Sequence, residues 1–139
     1  MKQTLARTIT ILYKDFVAYT SAKLQELGLN YGSLPFILYV GKHPECTPSE
    51  LREVLHMDWG YSQRSIVRLA EEGFMVREKH GRSYQLHLTE QGIKAFEVSH
   101  QVFEDWDDLR MEKLSDEEQQ LIMSLLGKVK VQGRGQIHV

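Results

Sequence analysis

Two short stretches of the chain carry polar and cationic side chains of the kinds that pair with nucleic acid. In the first stretch these side chains are Tyr61, Ser62, Gln63, Arg64 and Arg68. In the second stretch, which is basic, they are Lys79, His80 and Arg82. A glutamine amide can pair with adenine and an arginine with guanine, whereas hydroxyl and cationic groups also bind phosphate. If the fold brings both stretches to one surface, these residues are predicted to contact double-stranded DNA.

The first stretch lies in the second of two short helices that the sequence predicts. Residues 47–50 form a capping-box pattern, in which Thr47 accepts the Glu50 N–H and the Glu50 side chain reaches back, so a helix begins there. The apolar positions of this helix share one face and are Leu51, Val54 and Leu55. Asp58 suits the N-cap of the next helix, which is predicted over about residues 59–72. Its buried side is marked by Ile66, Leu69 and Ala70, which leaves the first stretch toward the outside.

A β-hairpin with a basic tip is predicted after the second helix. Gly73 can adopt the positive φ that ends a helix, and residues 74–79 and 83–88 have the composition of strands. The residues that connect them are His80, Gly81 and Arg82, and Thr89 suits the cap of a further helix. This order is typical of a winged helix-turn-helix, whose second helix enters the major groove while the hairpin tip touches the DNA backbone or the minor groove.

The ordered set of residues 58–69, 71–74 and 88–92 resembles the MarR family of bacterial transcriptional regulators. The resemblance covers nearly the whole chain, since members of that family pack an N-terminal helix, the winged unit and two C-terminal helices in this order. It implies a mainly α fold with a small β-hairpin wing and long N- and C-terminal dimerisation helices. The family wing usually carries Asp-x-Arg, whereas this chain has His80-Gly81-Arg82, so the arginine matches and the aspartate does not. This difference suggests either a looser wing or pH-sensitive DNA binding through His80.

The resemblance implies a sequence-specific DNA-binding regulator, a homodimeric repressor of an inverted-repeat operator that is released by a small-molecule effector. An activator would have the same sequence features. Effectors of the family are small aromatic or amphipathic molecules, and the residues predicted to line their pocket are Tyr19, Phe36 and Tyr39. The alternative function is a winged-helix protein-interaction module without DNA binding, which the negative net charge and the missing wing aspartate leave open.

Long amphipathic helices are predicted at both ends of the chain. The N-terminal stripe consists of Leu5, Ile9, Leu12, Phe16, Tyr19, Lys23 and Leu27. The apolar positions after the hairpin are Ala95, Val98, Val102, Trp106 and Leu109, widened by Ile93, Phe96 and Phe103. Residues 115–118 form a second capping box before a last helix with Leu121, Ile122, Leu125, Leu126 and Val129. Because one small winged unit cannot cover this apolar surface, a homodimer through these helices is predicted, with half-sites about 10 base pairs apart.

The predicted organisation is a single domain over residues 1–139. It comprises an N-terminal dimerisation helix in 1–30, the winged helix-turn-helix in 33–92 and C-terminal dimerisation helices in 93–132. Residues 33–41 fit two structures, since residues 36–40 have strand composition whereas Ser33 as a cap and Pro35 in the first turn favour a helix. A helix is the prediction.

Composition and charge agree with a cytoplasmic globular protein. The chain has 139 residues, of which 42% are hydrophobic, and its single cysteine excludes an internal disulfide. No apolar run has the length of a membrane span, so no membrane partner is predicted. The net charge of −2 is unevenly distributed, because acids dominate residues 97–118 while bases slightly exceed acids over residues 60–85. The sequence therefore supports a local phosphate-binding face on an otherwise acidic protein.

Metal, redox and catalytic sites have little support in the sequence. Glu97, His100 and Glu104 share one helix face, but an acidic solvated face is the preferred interpretation, so no metal site is predicted. Cys46 precedes a helix N-terminus, where a thiolate would be favoured, but a structural thiol is the preferred interpretation. The chain has no glycine-rich phosphate loop and no Gly-x-Ser-x-Gly motif, so neither an enzyme nor a cofactor is predicted.

Overall fold

Six helices and one hairpin follow each other over residues 2–129, the part of the chain that the computed structural model describes. The helices before the hairpin are α1 (Leu5–Gln25), α2 (Leu34–Lys42), α3 (Pro48–Leu55) and α4 (Trp59–Glu71), with one 3-10 turn (Tyr31–Ser33) before α2. The hairpin consists of β1 (Met75–His80) and β2 (Ser83–Leu88), and α5 (Glu90–Arg110) and α6 (Asp116–Gly127) follow it. This order confirms the predicted mainly α fold with a small β-hairpin wing. Residues 1 and 130–132, which the predicted dimerisation segments include, lie outside the described residues.

The helix starts confirm most of the predicted caps. The side chain of Asp58 accepts the Tyr61 N–H at 3.1 Å, and that of Thr89 accepts the Gly92 N–H at 3.0 Å. At α6 the capping box is complete, since each of its two side chains accepts the other residue's backbone N–H. Short polar side chains therefore fix where these helices begin, independently of the rest of the fold.

Residues 34–42 form a helix, which confirms the choice made for this ambiguous segment. Ser33 takes the N-cap position as predicted, but its side chain makes no capping hydrogen bond. Asn30 accepts the Ser33 N–H at 3.2 Å instead, and this bond starts the 3-10 turn that runs into α2. The strand-like composition of α2 reflects burial, since the side chains of residues 36–40 are all buried at the centre of the core.

Helix α2 packs closely against α5, where a glycine lets the two helices meet. A Cβ atom placed on Gly41 would lie 2.2 Å from Cδ2 of Phe96. A second close approach joins α5 to the end of the wing, because a Cβ on Gly92 would lie 1.9 Å from the carbonyl oxygen of Phe74. These contacts hold the wing and α5 in fixed positions relative to α2.

Helix α1 is attached to α5 through one carboxylate at its midpoint. Asp15 accepts hydrogen bonds from Trp106 Nε1 at 2.8 Å and from Arg110 Nη2 at 3.1 Å. These bonds lower the pKa of the Asp15 carboxyl, with the arginine as the largest cause. Beside them the Phe16 ring packs against Phe103 and Trp106, with ring centroids 5.0 and 5.6 Å apart.

The two end helices leave much apolar surface uncovered in the single chain. The predicted stripe of α1 is only partly buried, since Leu5, Ile9 and Leu12 are exposed, and the fully buried residues of α1 are Thr20 and Leu24. Helix α6 buries none of its residues. Its exposed apolar side chains are Leu121, Ile122, Met123, Leu125 and Leu126. Over residues 2–129, each helix is too short or too polar to cross a lipid bilayer.

Candidate nucleic-acid interface

Helix α4 presents one face to the core and the opposite face to solvent. Its buried residues are Ser62, Ile66 and Leu69, at the i, i+4, i+7 spacing of one helix face. Arg64 lies on the outer face and is exposed, and Tyr61 lies beside it and is 43% exposed. Gln63 is half-buried at the edge of this face. Along the first two turns of α4, three of the predicted side chains are therefore at least partly exposed, namely Tyr61, Gln63 and Arg64.

Ser62 does not belong to the outer face, and its predicted DNA contact was wrong. The residue is fully buried, and Ser62 Oγ has no hydrogen-bond partner among the described residues. Its position four residues before Ile66 and seven before Leu69 places it in the buried stripe. In the sequence, this spacing indicates burial of residue 62, whereas the polarity of serine indicates exposure.

The Arg64 guanidinium lies back over the first turn of α4. A Cβ on Gly60 would lie 3.0 Å from Arg64 Nη1 and 3.2 Å from Oδ2 of the capping Asp58. Long helical side chains point toward the N-terminus of their helix, and the missing Gly60 side chain leaves room for this one. The cation is thereby held at the end of α4 that enters the groove in a helix-turn-helix.

Arg68 is partly engaged inside the protein. Its Nη2 donates to Ser33 Oγ at 3.2 Å, and its Nε lies 4.0 Å from Glu72 Oε1, while its side chain stays 46% exposed. A surface cavity of about 190 Å³ is lined by Tyr61, Arg64, Ser65 and Arg68. The hollow brings two guanidinium groups and a phenol together, which is the donor chemistry of an anion site.

The hairpin separates the predicted wing residues onto different faces. Strands β1 and β2 are antiparallel, with Lys79 opposite Tyr84 and His80 opposite Ser83. Lys79 therefore shares a face with Arg77, whose guanidinium lies 4.7 Å from the Tyr84 ring centroid. His80 lies on the other face, where its Nε2 is 3.5 Å from Glu78 Oε1.

The wing tip is a two-residue loop that presents Arg82 to solvent. Gly81 has φ of +63°, a left-handed conformation that favours glycine and matches the twist of a short hairpin. Arg82 follows it and is exposed, as are Lys79 and His80. The predicted cationic tip is thus present as a short turn that directly joins the two strands.

A hydrogen bond from α2 fixes the start of α3. Tyr39 Oη donates to Glu50 Oε2 at 2.9 Å, and burial together with this bond raises the pKa of Tyr39 to about 12. Thr47 accepts the Glu50 N–H at 3.1 Å as predicted. The predicted return bond from the Glu50 side chain is wrong, because that carboxylate bonds Tyr39 instead. The first helix of the helix-turn-helix is therefore tethered to the core.

The predicted effector residues are mostly part of the core in this structure. Phe36 has no exposed surface and Tyr39 is 7% exposed, while Tyr19 is half-buried with the Lys23 ammonium 5.8 Å from its ring centroid. A separate cavity of about 350 Å³ opens between α2, β2 and α5. Its lining consists of Val40, Gly41, Pro44, His87, Leu88, Ile93, Phe96 and Glu97.

Cys46 is a buried thiol, and the suggestion that its position favours a thiolate was wrong. It is 4% exposed, and its backbone pairs with Leu86 of the wing. Burial, followed by the negative charge of Glu50, raises the pKa of Cys46 to about 12. Within residues 2–129 there is also no group of three metal-binding side chains, and the Glu97, His100 and Glu104 face is exposed.

Comparison with known proteins gives a consistent set of similarities. The chain is 37% identical over 132 residues to the HTH-type transcriptional regulator BilQ of Clostridium symbiosum, across 93% of this chain and 92% of that protein. A MarR transcriptional regulator from Methanosarcina mazei superposes with a TM-score of 0.77 at 25% identity, covering 93% of this chain and 88% of that one. A putative MarR family regulator from Listeria monocytogenes, crystallised with a 26mer DNA, superposes with a TM-score of 0.72 at 19% identity, covering 93% and 87%. No protein-family model matches the sequence.

Proposed function

This chain belongs to the MarR family of DNA-binding transcriptional regulators, and on that premise we propose that it is a homodimeric repressor, which binds an inverted-repeat operator and leaves it when a small-molecule effector binds. BilQ and the solved relatives are transcriptional regulators by name. The Listeria relative was crystallised with duplex DNA, which supports the same partner for this chain.

The observation that carries the DNA-contact proposal is the Arg64 guanidinium on the outer face of α4. It lies over the first turn of that helix and lines the same hollow as the exposed Tyr61. We assign base or phosphate contact to Tyr61, Gln63 and Arg64 on α4. The wing would contribute Arg82 at its tip, with Lys79 and His80 behind it. Arg68 is a secondary phosphate contact, because its bond to Ser33 Oγ already occupies one of its donors.

Dimerisation is supported by the uncovered apolar surface of α1 and α6. Leu5 and Leu121 are 52% and 57% exposed, and neighbouring apolar side chains on both helices are exposed as well. An apolar surface of this extent on a water-soluble chain favours association with a second copy. Two-fold symmetry would then place two α4 helices about one DNA turn apart, which requires an inverted repeat.

Fluorescence anisotropy with a labelled duplex from upstream of the protein's own gene tests this function. We expect binding that weakens steeply with salt, and a loss of about tenfold or more in affinity in Arg64→Ala and Arg82→Ala. Ser62→Ala is the matched control, because its side chain is buried on the opposite face of the same helix. Salt-independent binding, or affinity no higher than for a scrambled duplex, would support a protein-interaction module instead.

Effector control is proposed with Tyr19, Phe36 and Tyr39 as ligand contacts. A ligand can release the operator only through its differential affinity for two forms of the dimer. Entry beside Phe36 or Tyr39 requires these buried rings to move, and the Tyr39 bond to Glu50 would convey that movement to the helix-turn-helix. A screen of small aromatic acids and amines for loss of operator anisotropy, repeated with Tyr39→Phe, tests this proposal.

A further inference from the structure

An exposed tryptophan stands at the first position of α4, outside the set of residues assigned above. Trp59 is 47% exposed, an unusual state for the largest side chain. Its ring is covered on one side by the Arg52 guanidinium of α3, whose carbon lies 5.3 Å from the ring centroid. Arg52 itself is exposed. The chain's other tryptophan, Trp106, is half-buried and donates to Asp15.

The Arg52–Trp59 pair lies at the N-terminal end of α4, on the side of that helix toward α3. Trp59 lies three residues before Ser62 and seven before Ile66, so it continues the core-side stripe into the first turn, where its ring is exposed. Gln63 follows Trp59 by one turn, while Tyr61 lies on another side of the helix, next to Gly32. The N-terminal residues of a recognition helix approach the base edges most closely. The exposed indole at the first position of α4 is therefore placed for base contact by its position at this end of the helix.

The chemistry of the pair matches two neighbouring groups of the major groove. A guanidinium stacked on an indole keeps its in-plane N–H donors available. Because the stack already restricts the arginine side chain, the side chain loses less conformational entropy when it binds a base. Those donors match O6 and N7 of guanine, and the edge of the indole offers apolar contact to a thymine methyl group. We propose that Arg52 and Trp59 together read a guanine next to a thymine in each operator half-site. This inference rests on the proposed DNA-binding function.

Selection of binding sites from a random duplex library tests the proposal. The wild-type protein is expected to enrich an inverted repeat that contains a guanine–thymine neighbour pair in each half. Trp59→Ala and Arg52→Lys should lose the preference at that pair alone, with a fall of about tenfold in affinity per half-site for the wild-type operator. Arg52→Lys keeps the charge but not the planar fork, so affinity for scrambled duplex should be unchanged.

Tryptophan fluorescence gives a second readout, which reports directly on the surroundings of the Trp59 ring. Trp106→Phe leaves Trp59 as the only tryptophan, since the sequence has two. Operator should shield Trp59 from acrylamide quenching and change its emission, whereas scrambled duplex should do so weakly. Lys113→Ala is the control for Arg52→Lys, because it also changes an exposed cation but lies in the turn between α5 and α6, away from α4.

The outcomes separate the failure of this inference from that of the proposed function. If the wild type selects an operator but Trp59→Ala and Arg52→Lys select the same one with unchanged affinity, the pair does not read bases and DNA binding stands. If the wild type enriches no site at all, the proposed function fails and this inference fails with it. Quenching of Trp59 that operator leaves unchanged would also overturn the inference.

Discussion

Replacing Ser62 by alanine should stabilise the protein and leave its DNA affinity unchanged. Ser62 Oγ is buried on the core side of α4 and has no hydrogen-bond partner within residues 2–129. A buried hydroxyl without a partner costs about 1–3 kcal/mol in the folded state. Alanine also has the higher helix propensity, by about 0.5 kcal/mol. Part of this gain is offset by the small cavity that the missing oxygen leaves.

The net expectation is a gain of about 1–2 kcal/mol in the free energy of unfolding. For a chain of this size, that corresponds to an increase in Tm of about 4 °C per kcal/mol. Thermal unfolding should be followed by circular dichroism at one fixed protein concentration, because the stability of a dimer depends on concentration. Ser65→Ala is the matched control, since Ser65 lies on the same helix, half-buried beside the hollow of Tyr61 and Arg64.

The operator affinity of Ser62→Ala tests whether the Ser62 hydroxyl lies in the core or contacts DNA phosphate. A hydroxyl that donated to phosphate would contribute about 1 kcal/mol per half-site, so its loss would weaken binding about fivefold in each half. We expect no change in Ser62→Ala. A lower Tm, or an affinity that falls fivefold while the fold is intact, would refute the assignment of Ser62 to the core.

Three further predictions concern the core and the contact between α1 and α5. Gly92→Ala should destabilise the protein by about 2–4 kcal/mol in urea titration, because its Cβ would overlap the Phe74 carbonyl oxygen, whereas Gly127→Ala, with nothing within 4 Å, should be neutral or stabilising. Asp15 has a pKa that is lower in the folded than in the unfolded state, so its stabilising effect is present above about pH 4 and is lost as pH falls through the folded pKa. Stability curves of the wild type and Asp15→Asn should therefore differ at pH 7 and converge in acid, and parallel curves would contradict this. Cys46 should resist alkylation by iodoacetamide at pH 8 in the native state and react after unfolding, as mass spectrometry would show; rapid native labelling would contradict its raised pKa.

Local features of the sequence were sufficient for the elements and their order. The caps at Asp58, Thr89 and Ser115 act within one helical turn, so the residues that form them stand next to each other in the chain. The wing turn likewise forms around Gly81, which has a positive φ, although His80 belongs to β1 and the loop is one residue shorter than predicted. Where a bond closes over three or four residues, the sequence predicts it in most cases, and the exceptions are the Ser33 cap and the Glu50 return bond.

Features that depend on packing between distant segments were missed. The Glu50 side chain bonds Tyr39 rather than its own helix cap, because α2 comes close to α3 only in the folded chain. The Asp15 contact with Trp106 joins residues that are 91 positions apart, and neither residue type indicates the other. The packing of the Arg77 guanidinium on the Tyr84 ring required the strand register, which the hairpin composition did not reveal.

The first half of α1 lies ahead of the Asp15 contact with its side chains exposed, and Tyr13 adds a bond to Tyr31. Residues 5–14 precede the Asp15 contact and are all exposed. Ten residues of α-helix extend about 15 Å, so a tilt of about 10° around Asp15 would displace Leu5 by about 3 Å. In a dimer joined through these half-helices, each Asp15 would act as a pivot. Small angular changes there would be magnified along α1 and would alter the spacing of the two recognition helices, which must match successive turns of DNA about 34 Å apart.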